Sequence, residues 1–271
     1  MGQKIIIQIC NMKTCVELDK ILNDRVSGST RIALNVIRYI LNRSRLGEDV
    51  MPMLKKMQTV RPEMVVLGNV SLFCQKQIKQ GKEPVKVLET AENSLMSAAK
   101  NSASLAIQFI PNHAIVATLS YSEQLNLLFK MAKQKIDFVY IFAKGLVDEE
   151  KLSHNLLEKL GLKSSILDLG SVKYAIKRVD CVIVGSDSLS KKFFVNKRGT
   201  RMLARASKIA NVPVYVLSNR WKILYMSTGS LLNIQHLGNF ERIPNNIVDL
   251  FVMESGAFKP KDLESWVEQI L

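Results

Sequence analysis

The sequence predicts an α/β protein with a helical N-terminal domain and a Rossmann-like C-terminal domain built on a parallel sheet. Two observations support this fold class. Apolar residues recur at helical spacing through roughly the first hundred residues, whereas short β-branched runs alternate with helical segments after Pro111. This change of pattern places the helical domain at residues 1–110 and the α/β domain at residues 111–271.

Three helices are predicted in the N-terminal domain. The first begins near Gly28, the second follows Pro62, and the third runs from Pro84 to about Phe109. Each contains apolar residues that fall on one face of a helix. Residues 80–84 form a break between the second and the third helix.

Strands and helices alternate in the C-terminal domain, which predicts a parallel, doubly wound sheet. Such sheets bind ligands at the carboxyl ends of their strands, so functional residues are expected after Thr118, Val184 and Leu217. The predicted strands are Ala114–Thr118, Phe138–Phe142, Ser165–Leu169, Cys181–Val184, Val212–Leu217 and Val248–Met253. The predicted helices are Glu123–Lys133, Glu149–Leu160, Val172–Arg178 and Thr200–Ala210.

The composition is that of a globular protein, since 47% of the 271 residues are hydrophobic and 23% are charged. It excludes an intrinsically disordered chain. No run approaches the ~18 consecutive apolar residues of a transmembrane helix, and the first residues lack the cleavage site of a secretory signal. A cytoplasmic protein without membrane contact is expected.

The four cysteines, Cys10, Cys15, Cys74 and Cys181, form no Cys-x-x-Cys pair, and only three histidines accompany them. No metal site and no cofactor are therefore expected. Buried, reduced thiols are the simplest interpretation. Cys181 in particular begins an apolar run that is typical of a buried strand.

The chain has a basic excess, with 38 basic and 24 acidic residues and a net charge of +14. Such an excess favours anionic partners such as nucleic acid, phosphorylated protein or sugar phosphates. A solvated basic helix face is an alternative for part of it, and direct nucleic-acid binding would need a recognition helix or stacking aromatics that are not evident. Between Asp187 and Glu241 there is no acidic residue, and the basic residues are Lys191, Lys192, Lys197, Arg198, Arg201, Arg205, Lys208, Arg220 and Lys222.

Two short segments combine residue types that suit an anionic ligand. Asp187 follows a buried strand on an exposed turn, where a carboxylate acts as a general acid or base, holds a ligand hydroxyl, or simply caps the turn. Further on, the amide of Asn196, the ammonium of Lys197 and the hydroxyl of Thr200 directly precede a helix. The N–H groups and positive dipole end of a helix N-terminus suit a phosphate.

With several further motifs, these segments resemble the α, β and δ regulatory subunits of translation initiation factor 2B and the related ribose-1,5-bisphosphate and methylthioribose-1-phosphate isomerases. The resemblance spans nearly the whole chain. It implies dimerisation through the sheet domain, a cleft for a phosphorylated sugar or nucleotide, and the α subunit of initiation factor 2 as a partner. The motifs are Val26–Thr30, Arg61–Met64 with Gly68-Asn69, Ala117–Ser122, Gly185–Asp187, Asn196–Thr200, Pro213–Val216 and Met253–Gly256.

The same resemblance implies which residues line the ligand pocket. Arginine is expected directly before Gly28, where this chain has Ser27, although Arg25 lies close by. The residues expected to bind the ligand or its phosphate are Arg25, Gly28, Ser29, Arg61, Ser120, Ser122, Asp187, Asn196 and Lys197.

One departure from the isomerases decides between two functions. Their cysteine in the loop after the first strand corresponds to Ser120 here. A serine hydroxyl without an adjacent base is a far poorer proton donor or acceptor near neutral pH than a thiol. A non-catalytic regulatory or binding subunit, assembled as a homodimer or higher homo-oligomer, is therefore expected. The alternative is a ribose-1,5-bisphosphate-type isomerase with Asp187 as general acid/base.

Overall fold

Between residues 16 and 106 the described chain forms only helices and the loops that connect them. The computed structural model describes residues 16–119, 122–144, 148–224 and 238–270. The three predicted helices are confirmed, whereas the sequence pattern does not predict two shorter ones, because a helix of two turns gives little periodicity. The helices are α1 (residues 16–22), α2 (Ser29–Arg45), α3 (Met51–Thr59), α4 (Val65–Lys79) and α5 (Pro84–Ala106).

These helices enclose a hydrophobic core of their own. Ile32, Val36 and Ile40 recur along one face of α2 and are fully buried, in one cluster with Leu88 and Leu95 of α5. Burying each such side chain contributes about 1.5–3 kcal/mol. The hydrophobic periodicity of the sequence therefore produces the helical part directly.

Helix α5 joins the helical part to the sheet. It has 23 residues, and its N-terminal half contributes to the helical core. Ala103 and Ala106, near its C-terminus, instead belong to a core cluster that covers one face of the sheet. The division at residues 110 and 111 stays a prediction, because this shared helix ties the two parts together.

The rest of the chain forms a seven-stranded and a three-stranded sheet. The larger sheet has the order β3-β2-β1-β4-β7-β9-β10 and is parallel except for β10, which confirms the predicted parallel sheet. The strands are β1 (Ala114–Thr118), β2 (Ile136–Ala143), β3 (Ser164–Asp168), β4 (Cys181–Gly185), β5 (Ser188–Leu189), β6 (Phe193–Lys197), β7 (Val214–Leu217), β8 (Phe240–Pro244), β9 (Leu250–Met253) and β10 (Gly256–Phe258).

Helices cover both faces of the larger sheet. Every residue of β4 is buried: Val182 and Val184 belong to the cluster on one face, and Cys181 and Ile183 to the cluster on the other. None of the described helices is long and apolar enough to cross a membrane. The remaining helices are α6 (Glu123–Met131), α7 (Asp148–Lys159), α8 (Val172–Ala175), α9 (Thr200–Ile209) and α10 (Pro260–Ile270).

The order in which successive strands are added to the sheet changes direction between β1 and β4, although the two strands are parallel. From β1 the sheet is built outward to β2 and β3, and from β4 it is built in the opposite direction. The loops that leave the carboxyl ends of β1 and β4 therefore diverge and leave a crevice between them, the usual place for a ligand in such sheets.

The three-stranded sheet is not predicted from the sequence. Strand β6 pairs with β5 and β8 in antiparallel fashion, with Asn196 opposite Glu241. No strand was predicted for this segment, but Phe194 is fully buried and contacts Phe251 of the larger sheet edge-on, with ring centroids 5.7 Å apart. This contact fixes β6 beside the carboxyl ends of the parallel strands.

Candidate ligand site

A cavity of about 300 Å³ lies at the crevice between β1 and β4. Its wall comes from the loop before α2, the loop before α4, the ends of β4 and β6, and the segment after β7. Ser29 lies behind this wall beside Asp187, and Ser120 falls outside the described residues. Of the residues expected from the sequence, the lining contains Arg25, Gly28, Arg61, Ser122, Asp187, Asn196 and Lys197.

Asp187 is the buried acid of this cavity. It follows the end of β4, and its backbone N–H donates a hydrogen bond of 2.8 Å to the carbonyl of Val195 in β6. Burial raises the pKa of its carboxyl group, while the charge of Lys222 and the hydroxyl of Ser29 act in the opposite direction. Buried acids with raised pKa values are common among the residues that transfer protons in active sites.

Lys222 is the residue that the sequence analysis missed. Only 1% of it is exposed, and its ammonium group donates a hydrogen bond of 2.6 Å to the carbonyl of Ser186. Burial lowers its pKa to about 8, although the charge of Asp187 opposes this shift. The loop after Leu217 was expected to reach the site, yet within a run of basic residues nothing distinguishes a buried lysine from a solvated one.

Asn69 of α4 holds Lys222 in place. Its side-chain amide donates hydrogen bonds of 2.9 and 2.8 Å to the carbonyls of Trp221 and Ile223, on either side of the lysine. The side chain of Asn219 accepts a hydrogen bond from the backbone N–H of Trp221. The tight turn of residues 220–222 is thus fixed to the helical part of the molecule.

A buried chain of polar groups supports the loops behind the cavity. The side-chain amide of Gln124 donates hydrogen bonds of 2.9 Å to the hydroxyl of Ser102 and to the carbonyl of Ser218. The hydroxyls of Ser186 and Ser218 are 2.8 Å apart. These bonds link α5, α6 and the loops after β4 and β7, so the position of the carbonyl that accepts from Lys222 is well determined.

Ser122 lines the cavity and also stabilises the N-terminus of α6. Its hydroxyl accepts a hydrogen bond of 3.3 Å from the backbone N–H of Leu125 and so caps α6. A Cβ atom placed on Gly28 or on Gly185 would lie 3.3 Å from this serine. The two glycines therefore allow the loop before α2, the loop after β1 and the end of β4 to approach one another.

The N-terminus of α2 opens toward the cavity. Gly28 is its N-cap, no side chain caps it, and its first turn contains no acidic residue. Among the described residues, the hydroxyls of Ser29 and Thr30 are buried there without a partner at hydrogen-bond geometry, although Ser29 lies close enough to Asp187 to act on the pKa of its carboxyl group. Unmatched N–H groups, a positive dipole end and unmatched hydroxyls together suit a bound anion.

The N-terminus of α9 differs from the prediction. The side chain of Glu241 in β8 accepts hydrogen bonds of 2.8 and 3.0 Å from the backbone N–H groups of Gly199 and Arg201. A carboxylate of the chain itself therefore occupies the place where a phosphate was expected. The amide of Asn196 donates to the hydroxyl of Thr200 at 3.0 Å.

Arg61 lines the cavity as expected, but its guanidinium group is bound within the chain. It forms an ion pair of 2.6 Å with Glu63 and donates a hydrogen bond of 3.0 Å to the carbonyl of Asp24. Glu63 also lines the cavity, and its charge helps to raise the pKa of Asp187.

The thiols that the structure describes are remote from the cavity lining. Cys74 and Cys181 are buried and reduced, and burial raises the pKa of each to about 12. Cys10 and Cys15 lie outside the described residues. Within the described ranges, no group of three or more histidine, cysteine, aspartate or glutamate side chains is placed to hold a metal ion.

Comparison with known proteins agrees with this fold. The model of the initiation factor 2 subunit family matches residues 25–243. A translation initiation factor eIF-2B subunit 2-like protein of Pyrococcus abyssi is 27% identical over 215 residues, which cover 76% of this chain and 77% of the relative. The ribose 1,5-bisphosphate isomerase of Methanocaldococcus jannaschii is 25% identical over 247 residues, which cover 84% and 78%.

Two solved structures have the same fold. The translation initiation factor eIF-2B of Pyrococcus horikoshii superposes with a TM-score of 0.75 at 22% identity, over 92% of this chain and 97% of that one. A chain of the tetrameric eIF2B-beta2-delta2 complex of C. thermophilum gives a TM-score of 0.71 at 17% identity, over 96% and 95%. Homologues of this fold thus assemble into subunit complexes.

Proposed function

Because this chain belongs to the initiation factor 2 subunit family, we propose that it is a non-catalytic, eIF-2B-like binding subunit that holds a phosphorylated sugar or nucleotide in the cavity. The observation that carries the proposal is the buried Lys222 beside Asp187. Burying an ammonium group is unfavourable, and a bound anion would offset that cost. The unmatched hydroxyls at the N-terminus of α2 give the anion a second point of attachment.

The assignment as non-catalytic depends on the chemistry of Ser120. At this position the related isomerases have a cysteine, and the two described thiols have pKa values raised to about 12. Proton transfer by a positioned side chain contributes about 10²–10⁴ in rate. A pocket with Asp187 and without the thiol would bind a sugar phosphate and convert it poorly.

An isomerase is the second candidate, favoured by the raised pKa of Asp187. A carboxyl group with a raised pKa at the carboxyl edge of the sheet could act as general acid/base on an open-chain sugar. The isomerase from M. jannaschii among the relatives is consistent with this alternative.

Titration calorimetry combined with a coupled isomerase assay separates the two. With ribose 5-phosphate or adenosine monophosphate we expect binding, and with ribose-1,5-bisphosphate or methylthioribose-1-phosphate we expect no turnover. Turnover that Asp187→Asn abolishes would establish the isomerase. No binding of any phosphate ester would overturn the pocket altogether.

We also propose that the chain self-associates through the face that contains α8 and α9. Ile209 is 86% exposed and Met202 46% exposed, and with Leu169 and Val172 they line a broad groove. Exposed apolar side chains in one groove are typical of an interface. Sedimentation should show a dimer or larger assembly that Ile209→Asp dissociates, whereas a monomer at micromolar concentration would contradict the proposal.

The α subunit of initiation factor 2 is the proposed protein partner. The rim of the same groove contains Lys173, Arg198 and Arg205, which suit an acidic or phosphorylated surface. Pull-down of initiation factor 2 should weaken as the salt concentration rises, because charge pairs at a surface are screened. Failure to capture it at low salt would remove the role in translation while leaving the pocket intact.

A further inference from the structure

The cavity wall contains two acid–base pairs of its own. Arg61 and Glu63 form an ion pair of 2.6 Å, with 6% and 18% of their side chains exposed. Lys222 and Asp187, which also line the cavity, interact electrostatically as a second pair. Each acid offsets the charge of one base that would otherwise face a ligand.

The pair of Arg61 and Glu63 is held rigidly. The guanidinium group also donates to the carbonyl of Asp24 at 3.0 Å. The side chain of Asp24 accepts hydrogen bonds from the backbone N–H groups of Val26 and Ser27. Because Arg61 is buried and bound at two points, it cannot turn to a ligand without breaking the loop that leads to α2.

The formal charge of the lining follows from its composition. Of the described residues that line the cavity, four are basic and two are acidic, which gives a formal charge of +2. A phosphate monoester carries about −1.5 to −2 charges at pH 7, so one such group balances the lining. A second phosphate would exceed that balance and would face the carboxylate of Glu63. The charged lining residues are Arg25, Arg61, Lys197, Lys222, Glu63 and Asp187.

The size of the cavity leads to the same conclusion. At about 300 Å³ it lies at the lower end of the range of small-molecule sites. With a phosphate at the N-terminus of α2, the carboxylate of Glu63 is available as an acceptor for a sugar hydroxyl.

We propose that the cavity selects a sugar phosphate with one phosphate group over the corresponding bisphosphate, and that Glu63 determines this preference. The inference rests on the proposed function, since it assumes that the cavity binds a phosphate ester. It goes further by fixing the number of phosphate groups and by naming the residue responsible.

Titration calorimetry with ribose 5-phosphate and ribose 1,5-bisphosphate tests the inference. The wild-type protein should bind the monophosphate about tenfold more tightly, because one extra negative charge near a carboxylate costs roughly that factor at a partly solvated site. Glu63→Gln should raise the affinity for the bisphosphate about tenfold and change that for the monophosphate less than about threefold.

Glu92→Gln is the matched control. Glu92 is also 18% exposed and paired with an arginine, Arg38, at 2.6 Å, but it is not part of this cavity. The control should leave both affinities unchanged. A general loss of ion pairs would affect the two variants alike, whereas a charge that acts on the ligand affects only Glu63→Gln.

The outcomes separate the inference from the proposed function. If neither compound binds the wild-type protein, the proposed function fails. If both bind and the bisphosphate binds as tightly as the monophosphate, the inference fails and the pocket stands. This wild-type ratio decides the question even if Glu63→Gln does not fold. An unchanged ratio in a folded Glu63→Gln would exclude Glu63 as the determinant.

Discussion

Helices α2 and α9 begin with the same kind of sequence, a glycine followed by a hydroxyl residue, yet their N-termini differ in chemistry. Glu241 occupies the backbone N–H groups at the start of α9. At the start of α2, the hydroxyls of Ser29 and Thr30 have no partner at hydrogen-bond geometry among the described residues, and no described side chain caps the helix. A helix N-terminus thus indicates an anion site only where no acid from elsewhere in the chain already occupies it.

The start of α9 is built for stability, and Gly199→Ala tests this with the largest expected effect. Gly199 has a φ of +106°, and a Cβ atom there would lie 2.6 Å from Leu169 and 2.9 Å from Leu119. Backbone strain and overlap together should lower the free energy of unfolding by about 2–4 kcal/mol. Chemical denaturation measures the change.

Gly81→Ala is the control for backbone strain alone. Gly81 has a φ of +85° and no atom within 4 Å of the added Cβ, so the cost should be about 1–2 kcal/mol. If the two glycine variants lose the same free energy of unfolding, the packing around Gly199 is not tight.

We propose that the N-terminus of α2 binds the phosphate of the ligand. Lys222→Met removes a buried cation of the same cavity and tests whether it contributes to binding. Loss of one charge-assisted hydrogen bond costs about 1.5–3 kcal/mol, so the affinity for ribose 5-phosphate should fall roughly 10- to 150-fold by calorimetry. Lys86→Met, at a lysine whose side chain is 80% exposed, should bind normally. Unchanged binding by Lys222→Met would remove the lysine from the site.

Binding should also depend on pH through Lys222. Its pKa in the folded protein is lowered to about 8, so the ammonium group loses its proton as the pH rises from 7 to 9. A phosphate monoester is already dianionic there, with a pKa near ~6. Affinity should therefore fall about tenfold over this range, and Lys222→Met should abolish the dependence.

The contribution of Lys222 to folding stability has the opposite sign. Between pH 8 and 10.5, the ordinary pKa of a lysine, the unfolded chain retains the proton that the folded protein has lost. The unfolded state then binds more protons, so this contribution to the free energy of unfolding rises with pH. If ligand affinity falls with pH while the contribution of Lys222 to the free energy of unfolding rises, Lys222 is the group that titrates. If affinity and stability fall together, general unfolding explains both.

The smallest effects are expected from two substitutions, one at the N-terminus of each helix. The one at α2 should change ligand binding, and the one at α9 should change stability. Ser29→Ala should weaken phosphate binding about fivefold, or about 1 kcal/mol, with little change in stability. Glu241→Ala should lower stability by about 1 kcal/mol through the loss of a cap, without changing binding. Tighter binding by Glu241→Ala, together with unchanged binding by Ser29→Ala, would place the anion at α9 instead.

The fold was largely predictable because it depends on periodicity. The alternation of buried strands with amphipathic helices gave the parallel sheet, and even the ends of β1 were correct. The strand β6 was missed because its last residues, Asn196 and Lys197, are polar and look like a loop. Its identity depends on the burial of Phe194 against Phe251, a contact between residues far apart in sequence.

Seven of the residues expected from the sequence line the cavity, but their charge pairings could not be predicted. The motifs named Arg61 and Asp187, while Glu63 and Lys222, which compensate their charges, became visible only in three dimensions. The hydrogen bond of Glu241 was equally hidden in the sequence, because its carboxylate accepts from the backbone N–H of Gly199, 42 positions away. A sequence shows which groups are charged, but it does not show which of them already form an ion pair or a hydrogen bond within the folded chain.

The position of a bound phosphate tests the account most directly. We predict that a crystal structure with ribose 5-phosphate shows the phosphate at the N-terminus of α2, within hydrogen-bond distance of Ser29 and close to Lys222. A phosphate bound instead at the N-terminus of α9, with the side chain of Glu241 displaced, would contradict the account.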